Sequence, residues 1–243
     1  MIDIHCHILY GVDDGSFSLE ETVKLAEIAE QGGTEAIIAT PHSNVPDSYI
    51  NHWNNDFEEK IVLINKALAE RGIDITVYRG QEIFCAGRFE ELMSEGKLIT
   101  LNNSRYPLIE FDFYERSHEA YVMAARLAAQ GYVPIVAHPE RYQFICEEEE
   151  AAERLKDIGC LLQVNKGSLK GSFGFKAQRA AFRLLDEGLA DFVASDAHSP
   201  YMRTPFLGNV REMISEEFSP DYAELLLSEN PGLVIENKEI LTY

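Results

Sequence analysis

Seven short apolar runs recur along this chain, and histidine, aspartate and glutamate residues gather where those runs end. The runs are IDI (Ile2 to Ile4), EAIIAT (Glu35 to Thr40), ITVY (Ile75 to Tyr78), YPLIEF (Tyr106 to Phe111), YVPIVA (Tyr132 to Ala137), CLLQV (Cys160 to Val164) and DFVAS (Asp191 to Ser195). Each is short and continuously apolar, as in strands buried on both faces. Between them lie segments of helical periodicity, including Leu19 to Gln31, Glu119 to Gln130 and Gln178 to Glu187. Ser18 and Glu21 have the spacing of a capping box, and Gly32, Gly72, Gly131, Gly159 and Gly188 follow helical runs as stops. Strand and helix in alternation predict an α/β fold with parallel strands, here a distorted (β/α)7 TIM-like barrel. The segments Ile83 to Leu101 and Lys166 to Lys176 read as less regular loops. Asn44 to Asn55 and Leu169 to Phe175 are candidate mobile rims.

In such barrels side chains from distant positions converge at the C-terminal ends of the strands. His5 and His7, then Asp13 and Asp14, follow the first run; His42 in ATPH follows the second and Glu82 in GQE the third. Glu110 ends the fourth, His138 in AHPERY follows the fifth, and Asp196 and His198 in ASDAH follow the seventh. Strand alternation puts Asp3, His5 and His7 on one face and Cys6 on the other, so Asp3 is a candidate to orient an imidazole. Any one of these histidines has an ordinary explanation as a hydrogen-bonded core or loop residue. Together, next to apolar runs, they would leave costly unpaired charges unless cations bind them. Imidazole and carboxylate without paired thiols favour Mn, Fe, Zn or Mg over soft-metal or iron–sulfur sites.

Composition limits the partners. A formal net charge of −20 leaves few basic residues for a phosphate backbone, so no nucleic acid is expected. Four scattered cysteines form no C-x-x-C pair, the first residues resemble no secretory signal, and no apolar stretch approaches the roughly 20 residues of a spanning helix. A cytoplasmic protein with no direct membrane insertion is expected. At 46% hydrophobic and 26% charged, with no linker-like tract, residues 1–243 read as one domain. The acidic block Glu147 to Glu150 reads as a solvated helix start.

IDIHCHILYGVDDG, ATPH, GQEI, SRYPLIEF, AHPERY, QVN and ASDAH, in that order, resemble the motifs of the polymerase and histidinol phosphatase (PHP) superfamily. More closely they resemble its bacterial capsule-type, metal-dependent protein tyrosine phosphatases, from Met1 to about Asn237. The resemblance implies a PHP-fold hydrolase with three cations: one held by His5, His7, Glu82 and Asp196, a second by Glu82, Glu110 and His138, a third by Asp14, His42 and His198. Whether Asp13 or Asp14 supplies the third site is left to geometry. Mn2+ is the first choice of cation, with Fe, Zn and Mg open. Arg141 and Arg203 match the family's phosphate-binding arginines. None of the four cysteines begins the C-x5-R loop of thiol-dependent phosphatases.

The expected reaction is in-line attack of metal-activated water on the phosphorus of phosphotyrosine, without a covalent enzyme intermediate. The resemblance further implies a membrane-associated bacterial tyrosine autokinase of capsule or exopolysaccharide assembly as the substrate. The alternatives are a small-molecule phosphoesterase of the histidinol phosphatase kind and a non-catalytic metal-binding regulatory module. Phe111, Phe113, Tyr114, Tyr142 and Phe144 lie near the expected ligands, but such aromatics more often pack loops and are left out of the site.

Overall fold

The computed structural model describes residues 1–241. The first half runs β1 (Ile2–Cys6), α1 (Leu19–Gln31), β2 (Ala36–Ala39), β3 (His42–Ser43), α2 (Asn55–Glu70), β4 (Thr76–Arg79), β5 (Glu82–Phe84) and α3 (Phe89–Ser94). Next come β6 (Leu108–Glu110), α4 (Ser117–Ala129), β7 (Ile135–Ala137), α5 (Gln143–Glu147), α6 (Ala151–Ile158), β8 (Leu161–Asn165), α7 (Lys166–Leu169), α8 (Phe175–Asp186) and β9 (Phe192–Ala194). The chain ends in α9 (Gly208–Glu217), α10 (Pro220–Glu224), a π-helical turn at Leu225–Glu229 and α11 (Asn230–Ile235).

All strand pairs are parallel, in two sheets ordered β1-β2-β4 and β3-β5-β6-β7-β8-β9. Each of the seven apolar runs contains a strand. The second and third are extended by further segments, β3 and β5, which pair with each other after interruptions at Thr40–Pro41 and Gly80–Gln81. Proline cannot donate to a ladder, and a side chain at Gly80 would press on Ile38 and Leu101, so both breaks have local causes. The segment from Ile83, expected as loop, therefore contains most of β5 and then α3. Backbone hydrogen bonds Asp196 N–H to His5 O and His7 N–H to Ala197 O, both 2.8 Å, link the first sheet to the β9 edge of the second.

One apolar cluster contains Ile4 and Ile38 of the first sheet together with Leu108, Ile135, Leu161 and Phe192 of the second. Two others lie under the helices, one packing α1 and α2 on the first sheet and one packing α4, α6 and α8 on the second. Simple alternation fails in β1: its register with β2 shifts between Asp3 and Cys6, and Ile4 joins the inter-sheet cluster while Cys6 packs under α1 and α2. This irregularity separates Asp3 from the imidazoles it was expected to orient.

Half of the capping box at α1 forms as expected, Ser18 Oγ accepting from Glu21 N–H, while Glu21 Oε2 reaches one residue further back and accepts from Phe17 N–H. Gly32 is right-handed, contrary to a left-handed stop, and Gly33 (φ 83°) takes that role. Gly32 is instead required for close approach, since a Cβ there would lie 3.0 Å from Leu207 N. The acidic block at Glu147 spans the end of α5 and the approach to α6 rather than opening one helix. Helix α2 is the helical run that Gly72 follows, whereas α9 to α11 are not among those the periodicity predicts. The Asn44 rim is pinned: Asn44 N–H donates to Ile50 O, and the Asn51 side-chain amide donates to Val12 O and His42 O.

Candidate metal centre

All nine expected ligands lie together at the C-terminal ends of the strands. His5 Nε2 and His7 Nε2 are 3.3 Å apart, and both are 3.3 Å from Glu82 oxygens and 3.5 Å from Asp196 Oδ1. His138 Nε2 lies 2.9 Å from Glu82 Oε1 and 3.6 Å from Glu110 Oε1. His42 Nδ1 is 2.9 Å from Glu82 Oε2 and 3.5 Å from Glu110 Oε2, while its Nε2 is 3.7 Å from Asp14 Oδ1. His198 Nε2 is 3.6 Å from the same Asp14 oxygen. Three groups have donor atoms within 4.8 Å of one another: His5, His7 and Asp196; His42, Glu82 and Glu110; and His7, Asp14, His42 and His198. These groups regroup the sets implied by resemblance: His7 and His42 each belong to two of them, Glu82 belongs to one while lying 3.3 Å from His5 and His7, and His138 stands outside all three, beside Glu82 and Glu110.

The adjacent aspartates divide their work. Asp13 is buried and accepts three hydrogen bonds, from His7 Nδ1–H at 2.7 Å, His42 N–H at 2.9 Å and Gly15 N–H at 3.0 Å. It fixes the His7 tautomer so that Nε2 presents its lone pair to the cluster. Asp14, with a half-exposed side chain, faces His42 and His198. Asp3 touches no imidazole; its Oδ1 accepts from the backbone N–H of His5 and Ser195. Its expected task falls to Gln163, whose Oε1 accepts from His5 Nδ1–H at 2.7 Å. Gln163 in turn donates to Asn165 Oδ1, and Asn165 donates to Asp196 Oδ2. Residues 163 and 165 belong to the QVN motif, and their period of two on β8 was the available signal. Gly15 carried only the weaker signal of its place in VDDG; any Cβ there would collide with His7 O.

Three of the expected functional residues have left-handed backbones, namely His138 (φ 36°), Asp196 (φ 50°) and Arg203 (φ 38°). Such conformations persist only where surrounding contacts enforce them, and they concentrate at functional sites. Arg203 Nη2 is 2.5 Å and Arg141 Nη1 3.6 Å from Asp196 Oδ2. The Arg141 guanidinium lies between Phe113 and Phe173, 4.4 Å and 4.3 Å from their ring centroids, and Arg203 lies 5.7 Å from Phe173. Phe113 therefore supports an arginine, while Phe111, Tyr142 and Phe144 are buried packing residues.

Burial, then the charge on Glu82, pushes Glu110 up to about 8. Burial acts the same way on Glu82, but the charges of His5 and His42 carry it well below its ordinary value. Burial draws His138 down to about 4 and His198 to about 2, favouring neutral imidazoles with a free lone pair. The buried atoms Glu82 Oε2, His42 Nδ1 and His198 Nε2 have no hydrogen-bond partner. The first two are only 2.9 Å apart yet misaligned for a hydrogen bond. Orphaned acceptors and lone pairs aimed at common points, in an all-oxygen-and-nitrogen donor set, fit several divalent cations.

Fold and site define a class: parallel α/β proteins whose strand C-termini converge on a carboxylate-and-imidazole centre. A mutant organophosphorus hydrolase shares the fold with a TM-score of 0.65 at 11% identity, over 96% of this chain and 92% of that one. The chain belongs to the family described as capsular polysaccharide synthesis, CpsB/CapC, which it matches over residues 1–236. It is 35% identical to the tyrosine-protein phosphatase YwqE of Bacillus subtilis, over 99% of this chain and 93% of that one. It is 30% identical to the tyrosine-protein phosphatase CpsB of Streptococcus agalactiae, over 99% of this chain and 100% of that one. A solved structure aligns with a TM-score of 0.92 and 35% identity, over 100% of this chain and 97% of that one. It comes from work on YwqE of Bacillus subtilis and CpsB of Streptococcus pneumoniae, described as unique metal-dependent tyrosine phosphatases.

Proposed function

We propose that this chain is a metal-dependent tyrosine-protein phosphatase of capsular polysaccharide synthesis. The observation that carries this reading is the full-length match, at 30–35% identity, to relatives so named. The convergence of His5, His7, Asp14, His42, Glu82, Glu110, His138, Asp196 and His198 beside two arginines supports it, with those nine as ligands for three cations. Bound there, divalent cations supply Lewis acidity and bring the pKa of water toward neutrality.

The chain's own residues do the remainder. Asp13 and Gln163 hold His7 and His5 with Nε2 toward the centre, and Asn165 holds Asp196. Arg141 and Arg203 offer planar forks to phosphate oxygens, stiffened by Phe113 and Phe173. The reading asks for no thiol nucleophile, and the thiols are poorly suited to be one: burial pushes Cys6 and Cys85 well above their ordinary values, Cys160 to about 12, and raises Cys146 as well. A phenolate leaving group, with pKa near about 10, asks little of a general acid.

Mn2+ is the proposed cation, and a membrane-associated tyrosine autokinase met in the cytoplasm is the proposed substrate. No helix among the described residues is long and apolar enough to cross a membrane. We read the two sheets as one domain forming a distorted (β/α)7 barrel, supported by the shared inter-sheet cluster and the β1–β9 backbone contacts. The test compares turnover of a phosphotyrosine peptide, histidinol phosphate and a nucleotide monoester, with elemental analysis of protein purified without added metal. Preference for histidinol phosphate, or inertness of metal-replete protein toward the peptide, would overturn the reading.

A further inference from the structure

Nine large hydrophobic side chains are exposed among the described residues, and six of them lie on segments that follow a strand. Phe17 (77% exposed) precedes α1, Ile50 (50%) follows β3, Tyr114 (80%) follows β6, Phe175 (76%) opens α8, and Tyr201 (76%) and Met202 (77%) follow β9. Every strand is parallel, so the loops after them surround the centre. Scattered exposed apolar residues are ordinary in soluble proteins; six gathered on the loops at the strand C-terminal side, where the ligands also lie, fit an interaction surface.

The Tyr201–Met202 pair is presented rather than merely exposed. His198 N–H donates to Arg203 O at 3.0 Å, closing a tight loop, and Ser199 Oγ accepts from the Tyr201 N–H at 3.1 Å and the Met202 N–H at 3.4 Å. The same loop begins at a centre histidine and ends at Arg203. A cavity of about 470 Å³ is lined by Tyr114 together with Phe113, Phe173 and Lys176, and by Arg141, whose guanidinium reaches Asp196 of the centre at 3.6 Å.

Resting on the phosphatase reading, we propose that this apolar rim is the docking surface for the polypeptide on either side of the phosphorylated tyrosine, with the Tyr114–Phe173 cavity receiving one flanking side chain. A phosphotyrosine within a chain reaches the centre only if its neighbours cross the rim. A small phosphoester needs only the donors and the arginines. Apolar contact at the rim also adds attraction that offsets part of the repulsion a chain of net charge −20 exerts on a phosphopeptide.

The test uses metal-loaded protein, a neutral phosphotyrosine nonapeptide and phenyl phosphate. Tyr201→Ser/Met202→Ser and Phe17→Ser are each expected to raise KM for the peptide about tenfold, equivalent to about 1.4 kcal/mol, and to leave kcat/KM for phenyl phosphate within about twofold. Unchanged peptide KM, or equal losses on both probes, would overturn the assignment. So would a concentration-dependent dimer seen by sedimentation and abolished by the variants, or flotation of the protein with phosphatidylcholine vesicles. Phosphate release from neither probe by the unsubstituted protein would refute the phosphatase reading, and the rim assignment with it.

Discussion

Adjacent aspartates with opposite tasks give the sharpest prediction. Asp13→Ala removes an acceptor shared by His7 Nδ1–H, His42 N–H and Gly15 N–H, none of which has another acceptor in view. At about 1–3 kcal/mol for each buried donor left unpaired, less what is recovered by no longer burying a carboxylate, the expected loss is about 2–4 kcal/mol of folding stability. That is a large fraction of the roughly 5–15 kcal/mol that a domain possesses. Asp14→Ala removes a half-exposed carboxylate that accepts no hydrogen bond, so its cost is expected within about 0.5 kcal/mol. Metal binding should divide differently: loss of Asp14 removes a ligand and lowers the bound stoichiometry, while loss of Asp13 loosens His7 and weakens affinity about 10- to 100-fold. Urea unfolding of metal-stripped protein and elemental analysis of reloaded protein measure the two quantities separately. If Asp14→Ala proves the more destabilising, or Asp13→Ala leaves both quantities unchanged, the division of labour is wrong.

Gly15→Ala, which would drive a methyl group into His7 O, should lower metal content without unfolding the chain; full occupancy on elemental analysis would refute the close approach. Lys156→Met would strand Asp191, which accepts from Lys156 Nζ and from the Leu162 N–H, and should cost about 3–5 kcal/mol in urea unfolding, a change below 1 kcal/mol counting against it. Burial lowers Lys166 from 10.5 to about 8. The folded chain therefore releases this proton more readily than the unfolded chain, so the penalty is complete below about pH 8 and is relieved as pH rises toward about 10.5. The stability difference between the protein and Lys166→Met should vary across that window, and a constant difference would contradict the buried cation. Moderate salt should raise turnover of an acidic phosphopeptide by screening the net charge, whereas a steep fall would reveal an unrecognised basic groove.

The repeating parts were legible because they obey local rules. Buried parallel strands read as apolar runs, and α1 announces itself through Ser18, Glu21 and a clean amphipathic period. The ligands at the strand ends were legible for the same reason, since a charged residue directly after a buried run needs a partner. Features that depend on a few backbone angles were not legible. The shift within β1 reversed the expectation for Asp3, and nothing in IDIHCH encodes it. The role of Gln163 is not legible either, because an amide at a strand end has many ordinary uses and its hydrogen bond to His5 spans 158 positions. Strand β5 is hidden in the sequence because GQEIF carries a polar residue where pairing begins, a polarity that suits the centre rather than the strand. The C-terminal helices are short and are held by packing, so their periodicity is weak.

The apolar cluster of Ile4, Ile38, Leu108, Ile135, Leu161 and Phe192 is a stopper beneath the donors. Close-packed side chains leave no polar route between the sheets at that level, so in the proposed phosphatase substrate and cation alike would have to arrive from the side on which the strands end.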